Sequence, residues 1–558
     1  MVEKIWLKSY PEGVAAEIDY NKYSSVADLF DQCVKKFADR PAYTNMGKTL
    51  SYQEIDVLSD HFARWLQHAA KLKKGDRIAI MMPNLLQFPI AMFGALRAGL
   101  IVVNTNPLYT DRELRHQLKD SGATAIVVVE AFAHTLADII GDTEVKTVVT
   151  TRFGDMLGFP KSTIVNFVVK HIKKMVPPFS LPQAVSFKDA LKQGAGLPAL
   201  DKPGITHADI AFLQYTGGTT GRAKGAMLTN ANLLANTTQA GEWISTVKLN
   251  ERYEVVVTAL PLYHIFALTA NCLTFMILGA ENVLITNPRD LPQFVKTLKQ
   301  TRMSVITGVN TLFNALLNTP GFADVDFSHL KVTLGGGMAV QRAVAQRWKE
   351  VTGSTLVEAY GLTETSPAVC INPLDLPEYN GAIGLPIPST ECCIKDPEGT
   401  ILPTGERGEL CVRGPQVMKG YWLRDDATAE VMDSDGWLHT GDIAVMDEQG
   451  FFRIVDRLKD MILVSGFNVY PNEIEDVLAM HPGVLEAGAI GIPDEHSGEA
   501  VKVVIVRKDP NLTVEDIEAH CKENLTGYKR PKIIKFAQEL PKTNVGKILR
   551  RELRDVHG

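Results

Sequence analysis

Short runs of apolar, mostly β-branched residues, separated by helix-length stretches, constrain this chain more than any other feature. Arg77-Ile78-Ala79-Ile80-Met81, Ile101-Val102-Val103-Asn104, Ala125-Ile126-Val127-Val128-Val129, Val283-Leu284-Ile285-Thr286 and Ser304-Val305-Ile306-Thr307 are all of this kind. A strand with one face in water alternates apolar and polar residues. A run that is apolar almost throughout has to be covered on both faces, as helices cover a parallel sheet. The class is therefore α/β, and 558 residues suit three or four packed units with more than one sheet.

The texture changes at about residue 380. Gly and Pro become dense, and segments 408–413 and 450–455 read as antiparallel hairpin strands of a small β-barrel-like subdomain. After Arg457-Leu458-Lys459 comes a last unit of about a hundred residues, expected to be an α+β domain. The expected organisation is an N-terminal domain of two αβ-layered subdomains to about 380 with a β-rich subdomain over 381–455, ending at 458, then a C-terminal domain over 459–558.

Composition excludes several partners. Lys plus Arg number 58 and Asp plus Glu 64, a net charge of −6, which leaves no basic excess for nucleic acid. The seven cysteines are scattered without C-x-x-C spacing, which suits reduced thiols and offers no structural zinc site. No apolar run follows Glu3, Lys4 and Lys8, so no secretory signal is expected. Residues 255–280 carry no Asp, Glu, Lys or Arg, but Pro261, His264 and Asn271 interrupt them. They read as a buried strand and helix rather than a membrane span, and as the wall of an apolar cavity. Over 162–176, Ile164, Val165, Val168, Val169, Ile172, Met175 and Val176 share one helical arc and Lys170, Lys173 and Lys174 the opposite one, with Pro177-Pro178 as the stop. Such a helix packs on the core or lies in a membrane interface.

Chemistry concentrates in a few blocks. Tyr215-Thr216-Gly217-Gly218-Thr219-Thr220-Gly221-Arg222-Ala223-Lys224-Gly225 follows an apolar run and has the makings of a phosphate cradle. Its glycines let backbone N–H groups approach anionic oxygens, its hydroxyls donate, and Lys224 adds charge. It is not a Walker loop, because G-x-x-x-x-G-K-[ST] fails in every register. Lys331-Val332-Thr333-Leu334-Gly335-Gly336-Gly337 is a strand entering a glycine turn, and Glu358-Ala359-Tyr360-Gly361-Leu362-Thr363-Glu364 offers a flat aromatic face and a hard oxygen ligand. Downstream come Trp437-Leu438-His439-Thr440-Gly441-Asp442, Asp456-Arg457-Leu458-Lys459-Asp460, Val464-Ser465-Gly466-Phe467, and Pro541-Lys542-Thr543-Asn544-Val545-Gly546-Lys547.

In this order and spacing the blocks resemble the adenylate-forming superfamily of acyl-CoA synthetases, peptide-synthetase adenylation domains and luciferases. The resemblance runs from about residue 25 to 555. Segments 104–110, 260–267 and 462–475 are most similar to bacterial long-chain fatty acid–CoA ligases.

The resemblance implies that a carboxylate attacks the α-phosphate of ATP, with Mg²⁺, to give an acyl-adenylate and diphosphate. The thiol of coenzyme A then displaces AMP. By motif, Thr216 to Lys224, flanked by Tyr215 and Gly225, would hold the β- and γ-phosphates. Gly335, Gly336 and Gly337 with Glu358, Ala359, Tyr360 and Gly361 would form the adenine pocket. Thr363 and Glu364 would meet the α-phosphate and metal, Asp442 and Arg457 the ribose, and Lys547 both the substrate carboxylate and the α-phosphate. Lys459 falls at the hinge about which the last domain turns between half-reactions, bringing in Ser465 and Gly466 to line the coenzyme A tunnel. His264 would gate the acyl channel or sit near the coenzyme A thiol, and a buried structural histidine is the equal alternative.

A carboxylic acid ionised at neutral pH needs no general base, which fits the absence of a G-x-S-x-G elbow. Residues 255–280 offer no acid to an amino-acid ammonium, and Phe266, Ala267, Leu268, Phe275, Met276 and Leu278 are expected to wall an alkyl channel. Eleven residues follow Lys547 without a carrier-protein serine motif, so free coenzyme A is the expected acceptor. Two positions depart from many relatives: Ala223 stands where Pro is usual, and Leu268 where some long-chain enzymes place a Trp gate. A medium-chain or aryl-CoA ligase is the alternative within the class, and a peripheral membrane lipid-binding protein the alternative outside it. The resemblance implies a cytoplasmic location at the inner face of the cell membrane. The sequence leaves a homodimer open.

Overall fold

The computed structural model describes residues 2–216, 223–248, 253–494, 496–543 and 546–557, with side chains as far as Arg554. The apolar runs become the centres of two large sheets. In the first, strands Val185–Ser186, Thr147–Thr151, Ala125–Val129, Arg77–Met81, Ile101–Thr105 and Ile210–Thr216 lie side by side in parallel, and Lys224–Thr229 returns antiparallel along the edge. Ala125–Val129 is buried at every position, as a doubly covered strand requires. In the second, Leu356–Gly361, Val332–Gly335, Val305–Gly308, Val255–Thr258, Glu281–Leu284 and Pro41–Asn45 run parallel, with antiparallel strands at both edges.

The strand expected at 283–286 pairs two residues early, as Glu281–Leu284. Gly279 is the reason. It is left-handed (φ +65°) and lies against the Phe37 ring, where a Cβ would come within 2.6 Å, so the chain turns sharply into the sheet there.

The β-rich segment forms an antiparallel sheet ordered Glu391–Lys395, Arg407–Arg413, Leu438–Met446, Phe452–Arg457. The C-terminal unit has its own core, built on strands Ile462–Val464, Phe467–Val469, Val484–Asp494, Gly498–Arg507 and Ile533–Ala537 with helices Pro471–Ala479 and Val514–Asn524.

Residues 255–280 are a buried strand followed by wide-turn helix Ala267–Thr274 and helix Phe275–Ile277, and among the described residues no helix is long and apolar enough to cross a membrane. The amphipathic segment departs from its expected length. Helix Lys161–Phe167 continues as a wide turn over Val168–Ile172 and stops there, before the two prolines, because Lys174 adopts a left-handed backbone (φ +51°). Val165, Val169 and Val176 face the core, whereas Ile164, Phe167, Ile172 and Met175 are exposed together with Phe159.

Candidate functional site

The carboxyl ends of strands Val305–Gly308, Val332–Gly335 and Leu356–Gly361 open into a cleft of about 2380 Å³, where open α/β sheets bind ligands. Gly336 and Gly337 line it. Gly337 is left-handed (φ +77°), and the Lys547 side chain crosses it so closely that an added Cβ would stand 3.4 Å from Cε. Gly335 instead points into the packing against Leu356 and Val340.

The next strand supplies Glu358, Ala359, Tyr360 and Gly361, all on the cleft. Glu358 is 6% exposed; its oxygens accept the Val340 N–H (3.2 Å) and the Tyr379 hydroxyl (3.2 Å), and burial pushes its carboxyl up to about 8. Tyr360 donates its hydroxyl to Asp442 (2.6 Å), and the other Asp442 oxygen pairs with Arg457 Nε at 3.0 Å. The ring of Tyr360 is thereby pinned to the carboxylate assigned to ribose by resemblance. Asp442 owes its place to a bulge in Leu438–Met446 between Ile443 and His439, a common way to re-aim a side chain at a site.

Thr363 and Glu364 sit on a single 3₁₀ turn. The Glu364 carboxylate accepts the Tyr421 hydroxyl (2.6 Å), and Lys224 lies 4.6 Å from the centre of the Tyr421 ring, so this tyrosine joins the end of the glycine-rich loop to the acidic residue. The Ala223 carbonyl is met by His116 Nε2 at 2.9 Å.

Lys547 enters from the C-terminal unit on a hairpin closed by Thr543 N–H to Lys547 O (2.7 Å). Burial, and after it the Arg457 charge, lower its ammonium to about 8 against the opposing pull of Asp442 and Glu364. His264 is pushed down to about 3 by burial and by the Lys547 charge, so it is neutral at physiological pH, and its Nδ1 faces the Phe266 N–H at 3.4 Å. Thr311 Oγ1 donates to Gly546 O (3.0 Å) and Asn314 Nδ2 to Leu485 O (2.8 Å), docking the C-terminal unit on helix Asn310–Leu317.

The apolar branch of the cleft differs from the expected wall. Phe266 and Phe275 line it, but Ala267, Leu268 and Met276 are buried in the main core, and Leu278 does not reach the cleft but packs against the cluster that holds Phe275, Val305 and Val332. Wide-turn helix Ala267–Thr274 presents Thr269, Ala270 and Thr274 instead, and Ala240, Trp243, Ile244, Val305, Val332 and Leu334 complete the wall. Leu268, at the position of a gate in some relatives, is fully buried and does not face the cavity.

Of the remaining sequence-predicted residues, Tyr215, Thr216, Ala223, Lys224 and Lys459 line the cleft, and Gly225 lies under the Tyr215 ring. Gly217, Gly218, Thr219, Thr220, Gly221 and Arg222 lie outside the described residues. Ser465 and Gly466 are away from the cleft, in the turn between Ile462–Val464 and Phe467–Val469, with open space around Gly466. Sequence reasoning missed Tyr421, His116, Thr311 and Asn314. An aromatic shortly after a glycine was the one available signal for Tyr421, and the other three carried none.

Residues 30–422 match the AMP-binding enzyme family, and residues 473–547 match the AMP-binding enzyme C-terminal domain. The chain belongs to this family and has the fold of the adenylate-forming enzymes. It is 58% identical over 554 residues to the long-chain-fatty-acid–CoA ligase of Escherichia coli O6:H1, covering 99% of this chain and 98% of the relative. It is 38% identical over 99% of its length to the ligase of the same name from Bacillus subtilis, of which 98% is covered. Among solved structures, ATP-bound MatB from Rhodopseudomonas palustris aligns with a TM-score of 0.81 at 28% identity, covering 95% of this chain and 99% of that one. An anthranilate CoA ligase in complex with anthranoyl-AMP aligns at 0.85 with 24% identity, covering 97% and 99%, and shows the shared fold.

Proposed function

We propose that the protein is an ATP-dependent ligase that converts long-chain fatty acids to acyl-CoA through an acyl-adenylate. The observation that carries the reading is Lys547, a cation brought by the C-terminal unit into a cleft that also holds Asp442, Arg457 and Glu364 and continues into an apolar branch. Near-full-length identity to curated long-chain ligases supports the substrate class.

Adenine would lie against Gly336, Gly337 and the Tyr360 ring, with the ribose hydroxyls on Asp442 and Arg457. Thr216 and Lys224 frame the loop that receives the β- and γ-phosphates. The acyl chain would enter the branch beside Trp243 and Phe275, gaining about 0.8 kcal/mol per buried CH₂. Its carboxylate is an anion approaching a polyphosphate, and the barrier is largely electrostatic. Lys547 would neutralise charge on the carboxylate and the α-phosphate as the new bond forms, from a pre-organised position. Glu364, a hard oxygen donor held by Tyr421, suits Mg²⁺ together with Thr363; the ion would supply Lewis-acid charge neutralisation at the phosphates. His264, kept neutral, bounds the passage between nucleotide and acyl branch.

In this arrangement Lys547 is in and Ser465-Gly466 is out, which suits adenylate formation. Rotation of the C-terminal unit about Lys459 would withdraw Lys547 and bring the Gly466 turn to the cleft for coenzyme A.

The reading includes a peripheral site on the inner face of the cell membrane. Phe159 is 91% exposed, Ile172 65%, Ile164 57% and Phe167 56%, and Lys161, Lys170, Lys173 and Lys174 are exposed in the same segment. An apolar patch among cations fits an anionic lipid surface.

AMP release from ATP, measured with and without coenzyme A across acetate, octanoate, palmitate, oleate and benzoate, tests the assignment. A coenzyme A-dependent maximum at palmitate or oleate is expected. A maximum at octanoate or benzoate replaces the substrate, and no AMP with any acid refutes the reading.

A further inference from the structure

The four-stranded sheet assembles a donor set that sequence spacing does not reveal. Cys393 stands directly opposite Cys411 on the neighbouring strand, and Cys411 directly opposite His439 on the next. Residues paired in this way share one face of a sheet, and Glu409, two residues before Cys411, joins them on it. One ligand atom each from Glu409, Cys411 and His439 lie within 4.8 Å of one another. His439 Nδ1 is 2.7 Å from Glu409 Oε2 and 3.5 Å from Cys411 Sγ.

We propose that Glu409, Cys411 and His439 form a binding site for zinc(II) that braces the strand bulge carrying Asp442. One thiol, one imidazole nitrogen and one carboxylate oxygen are a donor set that zinc takes with a fourth position open. The far side of the imidazole is also prepared. His439 Nε2 faces Asp433 Oδ2 at 3.5 Å, and that oxygen is fixed by Lys395 Nζ at 2.7 Å. Metal-bound histidines characteristically give their other N–H to such a carboxylate, which sets the tautomer and the ring orientation.

The proton balance is simple. Between Glu409 and His439 one proton now occupies the hydrogen bond. On zinc binding the neutral imidazole carries its proton on Nε2, toward Asp433, so that Nδ1 offers its lone pair, and the Cys411 thiol releases its proton to solvent. Glu409 and Asp433 are the acidic groups facing the site, and Lys395 and Arg413 the cations near it. Zinc at typical Zn–N and Zn–O lengths of about 2.0–2.1 Å would widen the 2.7 Å contact to about 3.3 Å. Glu409 Oε1 need not move: it accepts the Gly441 N–H at 2.9 Å, at the bulge and one residue before Asp442. The metal would therefore tie the support of the carboxylate assigned to ribose to two neighbouring strands at once, Arg407–Arg413 and Leu438–Met446.

The test uses the full chain, stripped with a chelator and dialysed to equilibrium against zinc chloride, with bound metal measured by elemental analysis. One zinc per chain is expected, with a Tm that rises with free zinc as ligand linkage requires. Cobalt(II) in the same site should give a thiolate charge-transfer absorption. Cys411→Ser and His439→Ala should each weaken binding at least tenfold (about 1.4 kcal/mol) and abolish the Tm rise. Asp433→Asn should weaken binding by roughly 10–100-fold while sparing the cobalt–thiolate band. His439 is only partly buried, so its variant keeps the test open should Cys411→Ser fold poorly. No stoichiometric zinc, or zinc bound equally by His439→Ala, overturns the proposal.

Discussion

Lys547→Ala should divide the reaction into an impaired half and a preserved half. The Lys547 ammonium titrates at about 8, because burial and Arg457 together outweigh the pull of Asp442 and Glu364. At pH 7.5 it is roughly three-quarters protonated, enough to act as the cation of the adenylation step. Removing one pre-organised donor from a water-poor site typically costs about 10²–10³ in rate, or about 3–4 kcal/mol. That loss is expected in palmitate-dependent ATP–diphosphate exchange. Transfer from chemically prepared palmitoyl-adenylate to coenzyme A should be unchanged, because the proposed rotation withdraws Lys547 before that step. The pH profile supplies a second check. Wild-type kcat/KM for adenylation should fall as pH rises through about 8, tenfold per unit beyond it, as the ammonium is lost. In Lys547→Arg that alkaline limb should vanish, since a guanidinium does not titrate there. Equal loss of both half-reactions in Lys547→Ala, or an unaltered alkaline limb in Lys547→Arg, would refute the reasoning.

Glu364→Gln should slow adenylation and raise the Mg²⁺ concentration for half-maximal rate roughly tenfold, equivalent to about 1.4 kcal/mol; an unchanged Mg²⁺ dependence removes Glu364 from the metal site. Glu358 titrates near 8 in the folded chain against an ordinary 4.5. Its contribution to stability is therefore fully present below pH 4.5 and is lost progressively as pH rises to about 8, by up to about 5 kcal/mol. Glu358→Gln should flatten the decline of Tm across that window, and an identical slope would show that the buried carboxyl is not its source. Reversing Lys173 and Lys174 to Glu should weaken binding to anionic lipid vesicles by at least about thirtyfold, from about 1 kcal/mol per lysine lost, and the wild-type interaction should fall with salt. Salt-independent binding would reject the docking surface.

The sheet centres were legible because burial on both faces leaves an uninterrupted apolar signature, as at Ala125–Val129. The candidate-site blocks were legible because each is local: Gly336-Gly337, Tyr360, Glu364 and Lys547 belong to contiguous motifs and all reach one cleft. What failed depended on helical phase or on distant pairing. The acyl wall was read from hydrophobicity, which does not distinguish Leu268, turned into the core, from Ala270 beside the cavity; the wide turns of Ala267–Thr274 shift the phase further. Tyr421 acts on Glu364 across 57 residues, and Cys393, Cys411 and His439 meet through strand register alone. Such meetings leave no mark in local composition.

The two hydrogen bonds that dock the C-terminal unit on helix Asn310–Leu317 both end on main-chain carbonyls, Gly546 O and Leu485 O. A latch that grips backbone is indifferent to which side chains its partner carries. Each such bond is worth only about 0.5–1.5 kcal/mol net, so this grip is weak enough to allow the proposed rotation. A C-terminal unit of the same backbone path that keeps a lysine at the position of Lys547 could thus replace this one without any change to the docking helix.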